Sequence, residues 1–433
     1  MKGLLFTYLL SYGGAAASLF DPFVGLLIYV CFAIIKPESM WHWSMPESGY
    51  FSRIIAIALL TGWALHGFGH WQLGKARGIV IALIGFATWS VISAIHAPDK
   101  AVAWSFVEAQ SKIFLPFLVG MTVVDSVQKL KQLAWVIVLS HGYVAYEFNL
   151  SYYDNFNRLQ EIGFANMDNN SFAIALVTCV GLAFFLGLGA QRWWQKALAF
   201  ASAALMAHAV MFSFSRGGMF ALIITGAVTF MLVATQPKYY VVFAIGIMVA
   251  LRLAGAEVRE RFWTTFADPA ERDRSAQSRV ELWGDLWDSM LKQPLVGAGP
   301  DHWPIEAKKY GWPAGKEGHS LWLQVGAELG VPGLLFLLLF YTVCMVRLWP
   351  FTRRSYSSSD RFFQDAARMV IASLAGFAVA AQFVSLEGLE VPYYIVLIGA
   401  GALKLASEPS LVATPVPAKD TTPGQFATET PIS

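Results

Sequence analysis

Long apolar runs dominate the chain from its first residues to about residue 406, and short polar segments separate them. Each run is about 15 to 20 residues long, close to the length at which an α-helix crosses the hydrocarbon core of a bilayer. The runs lie near 4–20, 22–36, 54–69, 78–96, 112–125, 133–148, 171–189, 197–213, 217–234, 239–254, 329–349, 366–386 and 390–406. Because several are short, we expect an all-α polytopic membrane protein with about 12 to 13 membrane-spanning helices.

Lysine and arginine residues in the short connections predict the orientation of these helices, because cytoplasmic loops are enriched in both residues. They fall on every second connection. The residues concerned are Lys75, Arg77, Lys129, Lys131, Arg192, Lys196, Lys238, Arg347, Arg353, Arg354 and Arg361. The other connections, at 97–111, 149–170, 214–217, 255–328 and 387–389, are then expected to face outward.

The same alternation places the N-terminus outside if residues 1–36 cross the membrane twice. Lys2 instead favours a single crossing, which would leave the N-terminus in the cytoplasm. The sequence alone therefore leaves the number of crossings in residues 1–36 open.

The outward connection over 255–328 is the longest polar stretch and holds about a third of the charged residues. Long insertions between helices are more often functional than accidental, so we expect a soluble substrate group to be handled here. The segment after residue 406 is rich in Pro, Thr and Ala and lacks apolar periodicity. We therefore expect one integral membrane domain over 1–406, including the loop, and a disordered tail over 407–433.

Composition narrows the class of protein further. The chain is 56% hydrophobic and only 14% charged, which excludes a soluble multi-domain enzyme. A net charge of +2 is too small to indicate a nucleic-acid partner. The three cysteines form no metal-binding or disulfide spacing, and we find no DxD, HExxH, P-loop or GxSxG motif. We expect no metal and no cofactor.

Arg216 lies in the short outward connection Phe212-Ser213-Phe214-Ser215-Arg216-Gly217-Gly218. An arginine near the edge of the hydrocarbon region is costly unless an anionic group accompanies it. Two interpretations remain open. Arg216 contacts lipid phosphates, or it binds a phosphate-bearing ligand that the two glycines allow to approach closely.

A second arginine, Arg279, lies in the long outward loop. Ser278 and Glu281 match a capping box, which predicts a helix that begins there and ends near Lys292. Arg279 would then lie in the first helical turn, where free backbone N–H groups favour an anion. The residues that follow it at four-residue spacing are Trp283, Trp287 and Leu291. The alternative is an amphipathic helix lying on the membrane surface.

His319 precedes the next apolar run, and Ser320 is a plausible N-cap for the helix that begins there. A neutral histidine at this position can take a proton from a hydroxyl group near neutral pH. The alternative is a structural, hydrogen-bonded histidine, and His302 is the nearest rival for the role of base. Arg158 is a third outward arginine, in a turn-rich loop for which we expect a helix N-cap at Asn170 or Ser171.

The order of these motifs resembles that of the O-antigen ligase/polymerase superfamily, the WaaL- and Wzy-type proteins. The resemblance extends over about residues 155 to 345, whereas the N-terminal third is similar only in hydropathy. The motifs are Ser215-Arg216-Gly217-Gly218, Ser278-Arg279 with Trp283, Pro294-Leu295-Val296-Gly297-Ala298-Gly299, His319-Ser320, and Glu328-Leu329-Gly330-Val331-Pro332-Gly333.

This resemblance implies a GT-C-like glycosyltransferase in the bacterial inner membrane that works at the periplasmic face. Such enzymes take a glycan from a polyprenyl (undecaprenyl) diphosphate carrier without a metal. By position, Arg216 and Arg279 correspond to the diphosphate-binding arginines, His319 to the proposed general base, and Arg158 to a further loop arginine. The family's usual cytoplasmic N-terminus would fit residues 1–36 only if they cross once.

The implied reaction is attack by an acceptor hydroxyl, deprotonated by His319, with inversion at the anomeric carbon. The sequence does not choose among lipid A core, another glycan repeat and a protein hydroxyl as the acceptor. The alternative function is a polysaccharide or lipid transporter (a flippase) whose outward arginines bind an anionic cargo. Transporters usually place their functional charges near mid-membrane, which favours the enzyme.

Overall fold

A computed structural model gives the structure of the chain and describes residues 2–46, 49–233, 237–253, 274–353, 361–385 and 388–407. The predicted disordered tail, 407–433, lies outside these ranges except for Ser407, and so does the first part of the long loop, 254–273. Within them the regular secondary structure is helical, and the one bridge of the β type is an isolated pair between Phe164 and Met167.

We label the longer helices of these ranges α1 to α14. Helix α1 comprises Lys2–Tyr8, a π-helical segment Leu9–Gly13, and Gly14–Phe20. The others are α2 Pro22–Ile35, α3 Phe51–Leu65, α4 Arg77–His96, α5 Lys100–Val123, α6 Val127–Tyr153, α7 Asn169–Gly189, α8 Trp193–Phe212, α9 Arg216–Val233, α10 Pro237–Leu253, α11 Arg274–Lys292, α12 Leu321–Leu348, α13 Arg361–Ala380 and α14 Val391–Leu405.

Each predicted apolar run coincides with one of these helices, and α11 is the additional helix of the long loop. Among the described residues, nine helices are long and apolar enough to cross a membrane, and α3 and α14 are shorter apolar helices. The prediction of an all-α polytopic membrane protein is therefore confirmed.

The first two helices form an antiparallel hairpin. Asp21 ends α1 in an extended conformation and caps α2, because its side chain accepts a hydrogen bond from the Phe23 N–H at 2.9 Å. The ring of Phe6, in α1, lies 5.6 Å from the ring of Trp41, just after α2. The beginning of α1 therefore lies beside the end of α2. The chain thus has two helices here, Gly3–Phe20 and Pro22–Met40, each long and apolar enough to cross a membrane, although Lys2 favoured a single crossing.

One end of the helix bundle, which we call the site end, gathers the first residues of α7, α9 and α12. Side-chain amides hold the turn before α9: Asn157 Nδ2 donates to Phe212 O at 2.8 Å, and Asn169 Nδ2 to Ser213 O at 2.7 Å. The Leu321 N–H donates to Ala381 O at 2.8 Å and so joins α12 to the end of α13. These bonds fix the polar connections relative to one another.

Helix α12 is broken at Gly330, whose φ of 69° lies in the left-handed region. Such a break leaves carbonyl groups without their helical partners. The segment 294–299 supplies new ones: the Ala298 N–H donates to Ala327 O and the Gly299 N–H to Glu328 O, both at 2.9 Å. In the opposite direction, the Val331 N–H of α12 donates to Pro294 O of this segment at 2.8 Å.

Two side chains of α4 complete this arrangement. Trp89 Nε1 donates to Leu329 O at 2.9 Å, and Ser93 Oγ to Val296 O at 2.6 Å. Irregular backbone is tolerated within a membrane protein only where such partners satisfy it. The motifs at 294–299 and 328–333, separate in the sequence, therefore form one structural unit.

Candidate active site

Arg216 is the first residue of α9 and lies half-buried at the site end. Ser215 caps this helix, since its Oγ accepts a hydrogen bond from the Gly218 N–H at 3.1 Å. The preceding Phe214 has a positive φ of 56°, so the chain turns sharply into the helix. The turn directs α9 away from the site end and leaves the arginine at that end.

The two glycines after Arg216 serve helix packing. A Cβ atom on Gly217 would lie 2.8 Å from Cβ of Phe383, and one on Gly218 would lie 2.9 Å from Cβ of Ala173. Both distances are shorter than ordinary contacts, so protein atoms already occupy the space that the missing side chains leave. The structure thus favours close packing over close approach of a ligand as their role.

The predicted start of the loop helix is wrong. Helix α11 begins at Arg274, a turn before the expected cap at Ser278, so Arg279 lies beyond the first turn. Glu281 does not close a capping box. Its Oε1 accepts a hydrogen bond from Gln277 Nε2 at 3.3 Å, which is a side-chain pair on a continuous helix. The end at Lys292 is confirmed.

The packing of α11 sets the position of Arg279. Leu282 and Leu286 are fully buried in a cluster with Trp303, Ala307 and Ala327, which joins the helix to the rest of the loop and to α12. The helix is therefore held along one face.

Trp283, one turn after Arg279, links three elements of the site. Its indole Nε1 donates to His319 O at 3.3 Å, which joins α11 to the segment before α12. Its ring centroid lies 6.4 Å from that of Phe383, the residue that packs on Gly217 at the start of α9. This chain of contacts connects the backbones that carry Arg279, His319 and Arg216.

His319 lies two residues before α12, and the predicted N-cap at Ser320 is confirmed by a hydrogen bond from the Leu323 N–H to Ser320 Oγ at 3.4 Å. The φ of His319 is 49°, a left-handed conformation that costs a non-glycine residue about 1–3 kcal/mol. Hydrogen bonds on both sides hold it: Trp283 binds its carbonyl, and the Ser320 N–H donates to Ser385 Oγ at 3.2 Å.

Charges surround the His319 imidazole. Burial, together with the positive charges of Arg279 and Lys316, lowers its pKa from 6.5 to about 4, although the carboxylate of Asp168 opposes this change. The ring is therefore neutral at physiological pH and can accept a proton. Glu317 shares this region: burial raises its pKa, and Asp168 adds to the effect.

Asp168 is the N-cap of α7, a role that we expected of Asn170 or Ser171. Its Oδ1 accepts a hydrogen bond from the Ser171 N–H at 2.8 Å. An aspartate three residues before that N–H satisfies the free donor better than the neighbours that already lie inside the helix. The carboxylate faces His319 closely enough for each charge to act on the other's pKa.

His302, the rival for the role of base, is buried and bonded through both ring nitrogens. Nδ1 lies 2.8 Å from Pro300 O, and Nε2 accepts a hydrogen bond from the Asp99 N–H at 3.1 Å. These partners define a neutral ring with a proton on Nδ1, so its basic nitrogen is already engaged. The geometry is that of a structural histidine.

Sequence reasoning missed a role for Glu328. This residue is fully buried, and its carboxylate accepts hydrogen bonds from the Asp301 N–H at 2.8 Å, the Trp303 N–H at 3.0 Å and Gln324 Nε2 at 3.1 Å. It thus fixes the turn that carries His302. The sequence did contain one sign of this role, because an acidic residue at the start of an apolar run needs hydrogen-bonding partners.

Arg158 occupies a different part of the site end. Its Nη2 donates to Ser39 O at 3.0 Å, and the guanidinium lies 5.9 Å from the ring centroid of Trp43 and 5.7 Å from that of Phe148. These contacts join the segment after α2 to α6. Arg158 therefore stands at the N-terminal side of the bundle, whereas Arg216, Arg279 and His319 share the side formed by the long loop.

The fold and the site together define a polytopic membrane protein whose polar centre lies at one end of its helix bundle. Residues 201–338 match the sequence model of a family described as O-antigen ligase, and residues 1–148 match a family of unknown function. The match over 201–338 supports assignment to the O-antigen ligase/polymerase superfamily, as the motifs indicated. No curated protein is similar enough to count as a match.

The O-antigen ligase match includes Arg216, Arg279 and His319, while Arg158 lies between the two matched regions. It supports glycosyl transfer of the ligase or polymerase type, with a lipid-linked glycan as the kind of substrate. The superfamily match rests on the sequence of residues 201–338. The shared position of these three residues at the site end rests on contacts in the structure.

Proposed function

We propose that this protein transfers a glycan from a polyprenyl diphosphate carrier, such as undecaprenyl diphosphate, to an acceptor hydroxyl at the periplasmic face of the bacterial inner membrane. The observation that carries the proposal is a neutral, half-buried His319 beside the cationic side chains of Arg279 and Lys316, within a region that matches O-antigen ligases. A base and an anion-binding group are the two parts that such a transfer needs.

In this proposal the arginines bind the diphosphate. Negative charge develops on the departing diphosphate as the bond to the sugar breaks, and fixed cations placed at that position lower the barrier. Arg279 and Arg216 can each form two parallel hydrogen bonds to a phosphate. Arg158 gives one of its five N–H donors to Ser39, so others can contact the donor at the N-terminal side of the site.

His319 acts as the general base. It takes the proton of the acceptor hydroxyl while the oxygen attacks the anomeric carbon, and the lipid diphosphate leaves from the opposite face, which inverts that carbon. An imidazole with a pKa of about 4 is a weak base. The bound diphosphate would offset the charges of Arg279 and Lys316 and so raise that pKa towards neutrality, where general-base catalysis is most effective.

The experiment is release of lipid diphosphate by purified protein in EDTA, with a polyprenyl-diphosphate-linked oligosaccharide as donor. Lipid A core, a second glycan unit and a peptide with serine and threonine serve as candidate acceptors. We expect acceptor-dependent release that His319→Ala abolishes, while His96→Ala, at an exposed histidine of the same end, retains it.

Two outcomes would contradict the proposal. Full activity of His319→Ala together with an inactive but folded His302→Ala would show that the base is misassigned. Saturable binding of the lipid-linked donor without release for every acceptor would favour the transporter instead. The positions of these charges favour the enzyme, because Arg279 lies in the loop helix α11, Lys316 lies in the long loop and Asp168 caps α7, all at the site end.

A further inference from the structure

Helix α11 has an apolar face that no part of the described chain covers. Its buried face contacts the loop and α12, and its polar face bonds to the loop through Asp285 and Asp288. On the third face, Trp287 is 51% exposed and Leu291 is 58% exposed. Leu295, just beyond the helix, is 67% exposed. A soluble loop would not normally expose such a row of large apolar side chains.

This row joins the outer surface of α12. The hydrogen bond from the Val331 N–H to Pro294 O, at 2.8 Å, places Leu295 beside Val331. Val331 begins a stripe of exposed apolar residues at helical spacing, which continues through Leu335 and Leu339. The apolar row of α11 is therefore continuous with the lipid-facing surface of a membrane-spanning helix.

The length of α12 fixes the depth of this junction. The part of the helix after the break, from Val331 to Leu348, has a length of about 27 Å, close to the thickness of the hydrocarbon core. If Leu348 marks one edge of that core, Val331 lies at the other edge, with Leu295 at the same level. Leu291, one turn earlier, lies slightly farther out.

We propose that the C-terminal half of α11, together with Leu295, is inserted into the outer leaflet of the bilayer as an interfacial helix. Its surroundings agree with this placement. Trp287 is a residue that favours the headgroup level, and the side chain of Lys292, next to Leu291 and paired with Asp288, remains 64% exposed at the same end of the helix. The bilayer thus supports the same helix that carries Arg279.

Depth-dependent quenching tests this placement without reference to the reaction. An environment-sensitive fluorophore is attached to Leu291→Cys or Leu295→Cys in a background without the native cysteines. The protein is reconstituted in vesicles of phosphatidylethanolamine and phosphatidylglycerol that contain lipids spin-labelled near the headgroup or near the chain end. Leu339→Cys is the control within the bilayer, and Lys308→Cys is the control in the loop.

We expect quenching at 291 and 295 to be stronger with the shallow label, and quenching at 339 to be stronger with the deep label. Position 308 should be the least quenched. In addition, Trp287→Phe, which keeps an aromatic ring, should remove part of the tryptophan emission that the shallow label quenches. Quenching at 291 and 295 no stronger than at 308 would overturn the proposal, and it would do so whether or not the protein transfers glycans.

Discussion

The substitution Arg279→Gln tests the electrostatic account of the proposed base. Burial is the largest cause of the low pKa of His319, and the charge of Arg279 is the second. The total change, from 6.5 to about 4, is shared among burial, Arg279 and Lys316 and is opposed by Asp168. Removal of one charge should therefore raise the pKa by about 0.5 to 1 pH unit and leave it below 6.5.

The assay is the pH dependence of kcat/KM for lipid diphosphate release, which reports the ionisation of the unliganded enzyme. A base must be deprotonated to act, so activity is lost as the pH falls through the pKa of His319. We expect the acidic limb of the wild-type profile near pH 4 to 5, and a displacement of the Arg279→Gln limb to higher pH.

Arg279→Lys separates charge from geometry. Lysine retains the positive charge, so the acidic limb should stay in place, but it cannot form the two parallel hydrogen bonds of a guanidinium, so the donor KM should rise. Lys309→Gln, which removes an exposed lysine paired with Glu306, is the matched control for loss of a positive charge in the same loop. A wild-type limb near pH 6.5, or a limb that Arg279→Gln leaves unmoved, would refute the reasoning.

Three further substitutions test the structure around the site. Trp283→Phe removes the hydrogen bond to His319 O but keeps an aromatic ring, so we expect kcat to fall up to about tenfold with little change in donor KM and in melting temperature; a change in KM alone would contradict this. Gly217→Ala places a methyl group against Phe383 and should destabilise the protein by about 1–3 kcal/mol, measured as a lower midpoint of thermal unfolding; an unchanged midpoint would show that the packing is loose. Glu328→Gln places an amide donor against one of the two backbone N–H groups, of Asp301 or Trp303, and should cost about 1–3 kcal/mol, seen as faster proteolysis of the long loop, and equal proteolysis of the two proteins would argue against the capping role.

The membrane helices were predictable because length and hydropathy are local properties of the sequence. The N-cap at Ser320 was predictable for the same reason, since a serine before an apolar run needs only its own N–H neighbours. The start of α11 was not, because a capping-box pattern at Ser278 does not reveal whether the preceding residues continue the helix. The hairpin at Asp21 was left open because the charge of Lys2 and the alternation of the loops gave opposite indications.

The relations between distant segments were beyond the sequence. His302 and His319 look alike as isolated histidines, and only their partners distinguish a ring bonded at both nitrogens from one among charged groups. The pairing of 294–299 with the break at Gly330 likewise depends on tertiary contact, because neither motif contains a sign of the other. Local pattern therefore predicted the elements, and packing determined which of them meet.

The break at Gly330 has a consequence for hydrophobic mismatch. A continuous helix responds to a thicker or thinner bilayer by tilting along its whole length, and anything attached to its end moves with it. In α12 the residues after the break match the bilayer, whereas those before it are held by backbone hydrogen bonds to 294–299 and by Ala381. The part after the break can therefore tilt about Gly330 and displace His319 less than a continuous helix would.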